Sequence, residues 1–114
     1  MPKSFVIGEL EQIVLLALLR TRDQPYARSI HRAIAEVAPR PVSRGALYRT
    51  LDRLEGKGYV ASEVEDGPLE RGGMARRRYR ATPAGIAVLQ EARTLLRRLW
   101  SGLDAFADEI EAES

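Results

Sequence analysis

Residues 41–82 constrain the fold more than any other part of the chain, because a helical pattern is followed there by two strand patterns. Leu47, Leu51 and Leu54 recur at i, i+4 and i+7, which places them on one face of an α-helix. Ser43 stands just ahead of this pattern, and serine is a preferred N-cap. We therefore predict a helix that begins at Ser43, extends to about residue 56 and packs its leucines on a core.

The opposite face of this helix carries polar side chains that are suited to DNA. They are Ser43, Arg44, Tyr48, Arg49 and Arg53. Guanidinium groups donate to phosphates and guanine edges, and a purely structural helix would have little reason to carry so many. The Ser43 hydroxyl can cap the helix and also reach a phosphate, whereas the Tyr48 ring has the alternative of packing on the preceding helix. We predict that this is a DNA recognition helix.

An arginine-rich hairpin follows the recognition helix. Gly56 and Gly58 end the helix, and residues 60–65 and 76–81 then have the composition of strands around a glycine-rich loop at 66–75. We expect Arg76 and Arg77 to contact phosphates, although side chains alternate along a strand and about half of the arginine cluster is then left in solvent. This order of elements predicts a winged helix-turn-helix over residues 1–82.

Three further helices complete the predicted fold, which is mainly α with a small β-hairpin. Residues 8–20 are strongly apolar, and residues 24–38 follow a plausible Asp23 cap. Thr82 and Pro83 then supply an N-cap and a proline at the first helical position. We predict a long helix from Pro83 to about Ala112, in which Gly102 interrupts the pattern and permits either a close approach or a bend. We assign residues 83–114 to dimerisation within the same structural unit.

This last helix carries an apolar seam at heptad spacing. Its members are Leu89, Ala92, Leu96, Leu99, Leu103, Phe106 and Ile110. Alternating spacings of three and four residues are typical of a coiled-coil interface. A small domain cannot cover a seam of this length, so we predict a homodimer, and its twofold symmetry implies an inverted-repeat DNA operator.

Charge and composition reduce the number of function classes that fit this chain. The net charge is only +2, but residues 71–80 hold five arginines and no acid, whereas residues 104–114 hold five acids and no base. The chain has no cysteine, one histidine and no glycine-rich phosphate loop, so we expect no catalytic residue, metal site or cofactor, and no enzyme activity. The longest apolar run is too short to span a bilayer, and we expect a cytoplasmic protein.

Two motifs resemble those of the PadR family of bacterial transcriptional regulators, and the resemblance covers essentially the whole chain. The stretch SRGALY at 43–48, with Gly58 beyond it, is similar to the family's recognition-helix signature. The stretch RRRYRAT at 76–82, with Gly85 beyond it, is similar to the family's wing-to-dimer-helix signature. The resemblance implies a homodimeric winged helix-turn-helix repressor of the short subgroup, which has a single C-terminal helix. In some members a small molecule relieves repression.

Two interpretations stay open at this point. Trp100 lies beside the apolar seam, where it either packs in the dimer interface or lines a pocket that stacks a planar aromatic effector, as tryptophans of some relatives do. A winged helix can also serve as a protein–protein interaction module without specific DNA binding. The arginines on the recognition helix favour DNA, because an adaptor would more often present an apolar or acidic face there.

Overall fold

The computed structural model describes residues 7–67, 72–73 and 75–113. Within these residues the elements are α1 (Glu9–Arg20), α2 (Ala27–Val37), α3 (Arg44–Gly56), β1 (Val60–Glu65), β2 (Arg76–Ala81), α4 (Pro83–Trp100) and α5 (Asp104–Glu113). The mainly helical fold with a small hairpin is therefore confirmed. No helix in the described part of the chain is both long enough and apolar enough to cross a membrane.

The core lies where α1, α2 and α3 meet the base of the hairpin. Its fully buried side chains are Val14, Leu15, Leu18, Ile30, Ile34, Leu47, Leu51, Leu54 and Val60. The three leucines of α3 lie among them, as their spacing predicts. Outside the apolar core, Lys57 at the end of α3 donates to the nearly buried Glu11 carboxylate, with Nζ 2.8 Å from Oε2. This ion pair joins the first turn of α1 to the last turn of α3.

Helix α2 begins later than predicted. Its first residue is Ala27, and the predicted Asp23 cap is absent because Tyr26 occupies the N-cap position. Tyr26 instead forms an antiparallel bridge with Arg78, and the Tyr79 N–H donates to the Pro25 carbonyl at 2.9 Å. Proline disfavours helical backbone in the residue before it, so this segment is extended and pairs with β2.

The hairpin, which we call the wing, is formed by β1 and β2 in antiparallel register from Val60–Ala81 to Glu65–Arg76. Both strands have the predicted bounds. The predicted loop at 66–75 lies partly outside the described residues. The wing is anchored to the helical core through Val60 and Tyr79, which are both buried.

Helix α4 starts where the wing ends, and its first turn lies very close to the backbone of Gly58 and Tyr59, just before β1. The Thr82 hydroxyl caps the helix by accepting from the Gly85 N–H at 3.1 Å, and it donates to the Gly58 carbonyl at 2.6 Å. The Thr82 N–H donates to the Tyr59 carbonyl at 3.0 Å. A side chain at Gly85 would overlap that same carbonyl, so glycine is required for this approach.

The prediction of a single C-terminal helix from Pro83 to about Ala112 is wrong, because the helix is interrupted near Gly102, where we expected a close approach or a bend. Helix α4 ends at Trp100, and a turn through Gly102 at φ +82° leads into α5. Glycine adopts this left-handed conformation without the steric cost that other residues meet. In the turn, the Leu103 N–H donates to the Trp100 carbonyl at 2.8 Å.

The predicted heptad seam therefore divides into two parts. Leu89 and Ala92 are buried against the chain's own core. The remaining five members, which are Leu96, Leu99, Leu103, Phe106 and Ile110, are each between 44% and 64% exposed. Only this second part of the seam offers accessible apolar surface, and the break at Gly102 turns its last residues away from the axis of α4.

Candidate DNA-binding interface

Helix α3 is capped and oriented as its sequence predicts. The Ser43 Oγ accepts from the Ala46 N–H at 3.0 Å, which leaves the hydroxyl hydrogen of Ser43 available to another acceptor. The leucine face of α3 is buried, and Tyr48 on the outer face is 49% exposed. Arg44, Arg49 and Arg53 are also exposed on α3. The helix thus presents its basic side chains to solvent.

The Arg49 side chain folds back toward the start of α3. A β-carbon at Gly45 would lie 3.2 Å from Arg49 Nη1, so the guanidinium lies against this glycine. A larger residue at position 45 would displace it. Helix α3 therefore holds the Arg49 guanidinium near its N-terminal turn, where the helix dipole adds further positive potential.

His31 fixes the turn between α2 and α3. Its Nε2 lies 2.7 Å from the Val42 carbonyl oxygen, which can only accept a hydrogen bond. The histidine therefore donates from Nε2 and is partly buried. Beside it is a cleft of about 320 Å³, lined by Ala27, Arg28, His31, Arg44, Leu47 and Tyr48.

A second cleft, of about 450 Å³, separates the wing from the helices. Its lining is Tyr26, Ala27, Arg28, Tyr48, Ala75, Arg76, Arg77 and Tyr79. Arg28 and Tyr48 border both clefts, so the two form one continuous region. We call Arg28, Arg44, Tyr48, Arg76 and Arg77 the basic surface. Four of these five residues were predicted to contact DNA, whereas Arg49 and Arg53 line neither cleft.

Sequence reasoning missed Arg28 and Tyr26 in this region. Both follow Pro25, which ends the turn after α1. The signal available in the sequence was an aromatic residue directly after the proline and a basic residue two positions further on, at the start of a helix. Their proximity to the wing depends on the bridge between Tyr26 and Arg78, which connects residues distant in the sequence.

The two wing arginines of the basic surface have different environments. Arg77 lies on the same face as Tyr79, and its Nη1 donates to the Ser62 Oγ at 3.0 Å. Arg76 lies on the other face, where its guanidinium stacks on the Tyr26 ring at 3.4 Å and its Nε donates to Glu65 Oε1 at 3.1 Å. Arg76 is therefore already engaged within the protein.

The surroundings of Glu65 and Tyr79 determine the ionisation of these two side chains. The hydrogen bond from the Tyr26 hydroxyl, followed by that from Arg76, lowers the pKa of Glu65, so this carboxylate stays charged near neutral pH. Burial raises the pKa of Tyr79, so its phenol stays neutral beside Arg77.

Within the described residues, no cluster of three or more histidine, aspartate or glutamate side chains could hold a metal ion.

Apolar surface is concentrated on the side formed by α1 and α4. A groove of about 360 Å³ is lined by Gln12, Leu16, Leu19, Ile86, Leu89, Gln90, Arg93 and Leu96. Trp100, 52% exposed, borders an adjoining depression that shares Arg93 and Leu96 with this groove. The exposed part of the seam thus continues onto α1.

Comparisons with known proteins agree with this geometry. The model of the Transcriptional regulator PadR-like family matches residues 15–91. The chain is similar to Transcriptional regulator Rv3488 of Mycobacterium tuberculosis, with 53% identity over 60 residues that cover 51% of this chain and 50% of that protein. The chain thus aligns with about half the length of this curated relative.

Solved structures extend the likeness beyond that segment. A PadR family transcriptional regulator from Eggerthella lenta is 30% identical, with a TM-score of 0.65 over 87% of this chain and 86% of that one. Bordetella bronchiseptica BpsR, described with regulation of its DNA binding by 6-hydroxynicotinic acid, is 18% identical with a TM-score of 0.54 over 99% and 83%. The latter likeness concerns the fold alone. Because the family model covers α2, α3 and the wing as well as parts of α1 and α4, the chain belongs to the PadR-like family of transcriptional regulators.

Proposed function

We propose that this protein is a homodimeric repressor that binds double-stranded DNA sequence-specifically, with α3 in the major groove and the wing against the phosphate backbone. The observation that carries this proposal is the continuity of the basic surface. Arg28 and Tyr48 border both clefts, so the start of α3 and the wing present their cations along one path. A DNA strand that passes between a recognition helix and a wing requires such a path.

Different side chains serve different parts of this interaction. Arg44 and Arg49 lie toward the N-terminal part of α3, which commonly contacts base edges in helix-turn-helix proteins. Arg77 and the Ser43 hydroxyl are suited to phosphates, because both residues are exposed and each keeps a further hydrogen-bond donor. Arg53 lies further along α3 and is suited to the flanking backbone. The Tyr48 hydroxyl, between the two clefts, can donate to either a phosphate or a base.

The proposed dimer uses the apolar surface on α1, α4 and α5. Leu96, Leu99 and Leu103 are exposed there, and they adjoin the groove between α1 and α4. A second copy of the chain presents the same apolar residues, so a twofold contact would cover both sets. Two recognition helices related in this way would bind an inverted repeat with half-sites about one helical turn, ~10 bp, or a multiple of it apart.

DNA binding is tested by fluorescence anisotropy with genomic fragments and a random-sequence duplex. Arg49→Ala should weaken binding to the preferred fragment more than to random DNA. Arg77→Ala should weaken both and reduce the salt dependence by about one unit of slope, as loss of one phosphate contact requires. Arg98→Ala removes the same charge from the exposed surface of α4 and is the matched control. Wild-type affinity in both Arg49→Ala and Arg77→Ala would refute the interface.

Assembly is tested by sedimentation at micromolar concentration. The wild type should sediment as a dimer, and Leu99→Asp should dissociate it, because an unpaired charge would be buried in the contact. Val37→Asp is the control, since Val37 is 77% exposed at the end of α2 and outside the proposed contact. A folded wild-type monomer would contradict the proposed dimer.

The proposal includes an effector site at Trp100. A planar aromatic compound would stack on the indole between the C-terminal helices and shift the separation of the two recognition helices. BpsR, whose DNA binding is regulated by 6-hydroxynicotinic acid, shares the fold. Trp100 is the only tryptophan, so a panel of planar aromatic acids should quench its fluorescence and release DNA. If Trp100→Ala releases DNA as the wild type does, the effector site lies elsewhere.

A further inference from the structure

On one face of the wing, the carboxylate of Glu65 lies among basic and hydroxyl side chains that it binds directly. Glu65 Oε1 accepts from the Tyr26 hydroxyl at 2.7 Å and from Arg76 Nε at 3.1 Å. Glu65 Oε2 lies 4.0 Å from Arg78 Nη1. A single carboxylate therefore neutralises part of the charge of two arginines, one of which belongs to the basic surface.

The cluster is held together from two sides of the molecule. Tyr26 precedes α2 and is bridged through its backbone to Arg78 in β2, whereas Glu65 ends β1. The Tyr26 ring also supports the Arg76 guanidinium by a cation–π contact. The carboxylate and the guanidinium are thus placed against each other by the helical core and by the wing, and their contact does not depend on two flexible side chains alone.

DNA phosphates can compete with this carboxylate. The side chains of Arg76 and Glu65 are 40% and 32% exposed, respectively, and solvent-exposed ion pairs of this kind are weak. Arg76 also lines the cleft that it shares with Tyr48 and Arg77, so a phosphate in this cleft would lie within reach of the guanidinium. A phosphate can replace Glu65 as the acceptor because both offer anionic oxygens.

We infer that Glu65 is an internal competitor for phosphate, which holds Arg76 in the DNA-free protein and thereby limits the sequence-independent affinity of the wing for DNA. This inference rests on the proposed DNA binding. Binding to any duplex then exchanges the Glu65 contact of Arg76 for a phosphate contact and leaves the carboxylate near the DNA. The lost contact and the nearby negative charge both lower the affinity of the protein for DNA, and neither effect depends on base sequence.

Glu65→Gln tests the inference, because glutamine keeps an oxygen acceptor for Tyr26 and removes the negative charge. A unit charge roughly 6 Å from a phosphate, at an effective dielectric constant of about 40 to 80, changes affinity by about three- to tenfold. We therefore expect E65Q to bind a random-sequence 30-bp duplex about three- to tenfold more tightly than the wild type. Its salt dependence should be steeper by up to about one unit of slope.

Glu63→Gln is the matched control. Glu63 lies two residues before Glu65, on the same face of β1. Within the described residues the Glu63 carboxylate forms no ion pair or side-chain hydrogen bond, so E63Q changes the net charge without releasing an arginine. In a background of Arg76→Gln, the gain from E65Q should fall toward the gain from E63Q, because only the longer 4.0 Å contact of Glu65 with Arg78 then remains to be released.

The outcomes are distinguishable. A wild-type protein that fails to bind any duplex at low salt removes the proposed DNA binding, and the inference with it. A wild type that binds, together with an E65Q variant of equal or lower affinity, overturns the inference alone. It is also overturned if the E65Q gain persists undiminished in the R76Q background, because the gain would then not depend on Arg76. Equal melting temperatures of the variants exclude misfolding as the cause.

Discussion

Alanine in place of Gly85 should force α4 away from the wing. Gly85 is the third residue of α4, and a β-carbon there would overlap the Tyr59 carbonyl oxygen and lie 3.0 Å from the carbonyl carbon. That oxygen already accepts from the Thr82 N–H at 3.0 Å. Backbone therefore meets backbone, and no flexible side chain can move aside.

Three effects determine how much Gly85→Ala changes the free energy of unfolding. Overpacking of this kind costs about 1 to 3 kcal/mol, and loss of the hydrogen bond between Thr82 and Tyr59 would cost about 1 kcal/mol. Alanine is better than glycine within a helix by about 1 kcal/mol. The net decrease in the free energy of unfolding should be about 2 kcal/mol, which lowers the melting temperature by roughly 8 °C at about 4 °C per kcal/mol.

The measurement is thermal unfolding followed by circular dichroism. Gly56→Ala is the matched control, because Gly56 also lies in a helix and a β-carbon there would meet no atom within 4 Å. We expect Gly56→Ala to keep or raise the melting temperature. The steric argument is refuted if Gly85→Ala melts at or above the wild-type temperature, or if both variants lose equal stability.

Three further predictions follow from single contacts. Lys57→Met should lower the free energy of unfolding in urea by about 1 to 2 kcal/mol, because it leaves the nearly buried Glu11 carboxylate unpaired; adding Glu11→Gln should recover much of the loss, and an unchanged urea midpoint would contradict the prediction. The pKa of Glu65 is below its ordinary value of 4.5, so its stabilising contacts are complete above that pH and should be lost as pH falls through the lowered pKa; the NMR shift of the Tyr26 ring should follow this titration in the wild type and not in E65Q. Gly102→Ala should favour a continuous helix from α4 into α5, because the left-handed conformation costs alanine about 1 to 2 kcal/mol; an unchanged helical signal in circular dichroism would show that other contacts keep the turn.

The short-range features of this protein were predictable from the sequence. Ser43 and Thr82 cap α3 and α4 as expected, because a cap depends on a side chain and an amide only a few residues away. The leucines of α3 are buried, and both wing strands have their predicted bounds, since periodicity and turn residues are also local properties. The residue types of the proposed interface on α3 follow from the same helical pattern.

Tertiary contacts decided the start of α2, the burial of the seam residues and the partners of the wing arginines. Pro25 disfavours helical backbone at Gln24, but the sequence does not show that Tyr26 pairs with Arg78, a partner more than fifty residues away, and that α2 therefore starts only at Ala27. Leu89 and Leu96 lie seven residues apart and occupy equivalent seam positions, but only Leu89 is buried by the chain's own core. Arg76 and Arg77 are adjacent and chemically identical, and only Arg76 is held by Glu65 and Tyr26. Sequence periodicity specifies the face on which a side chain lies, whereas its partners depend on which distant segments pack against that face.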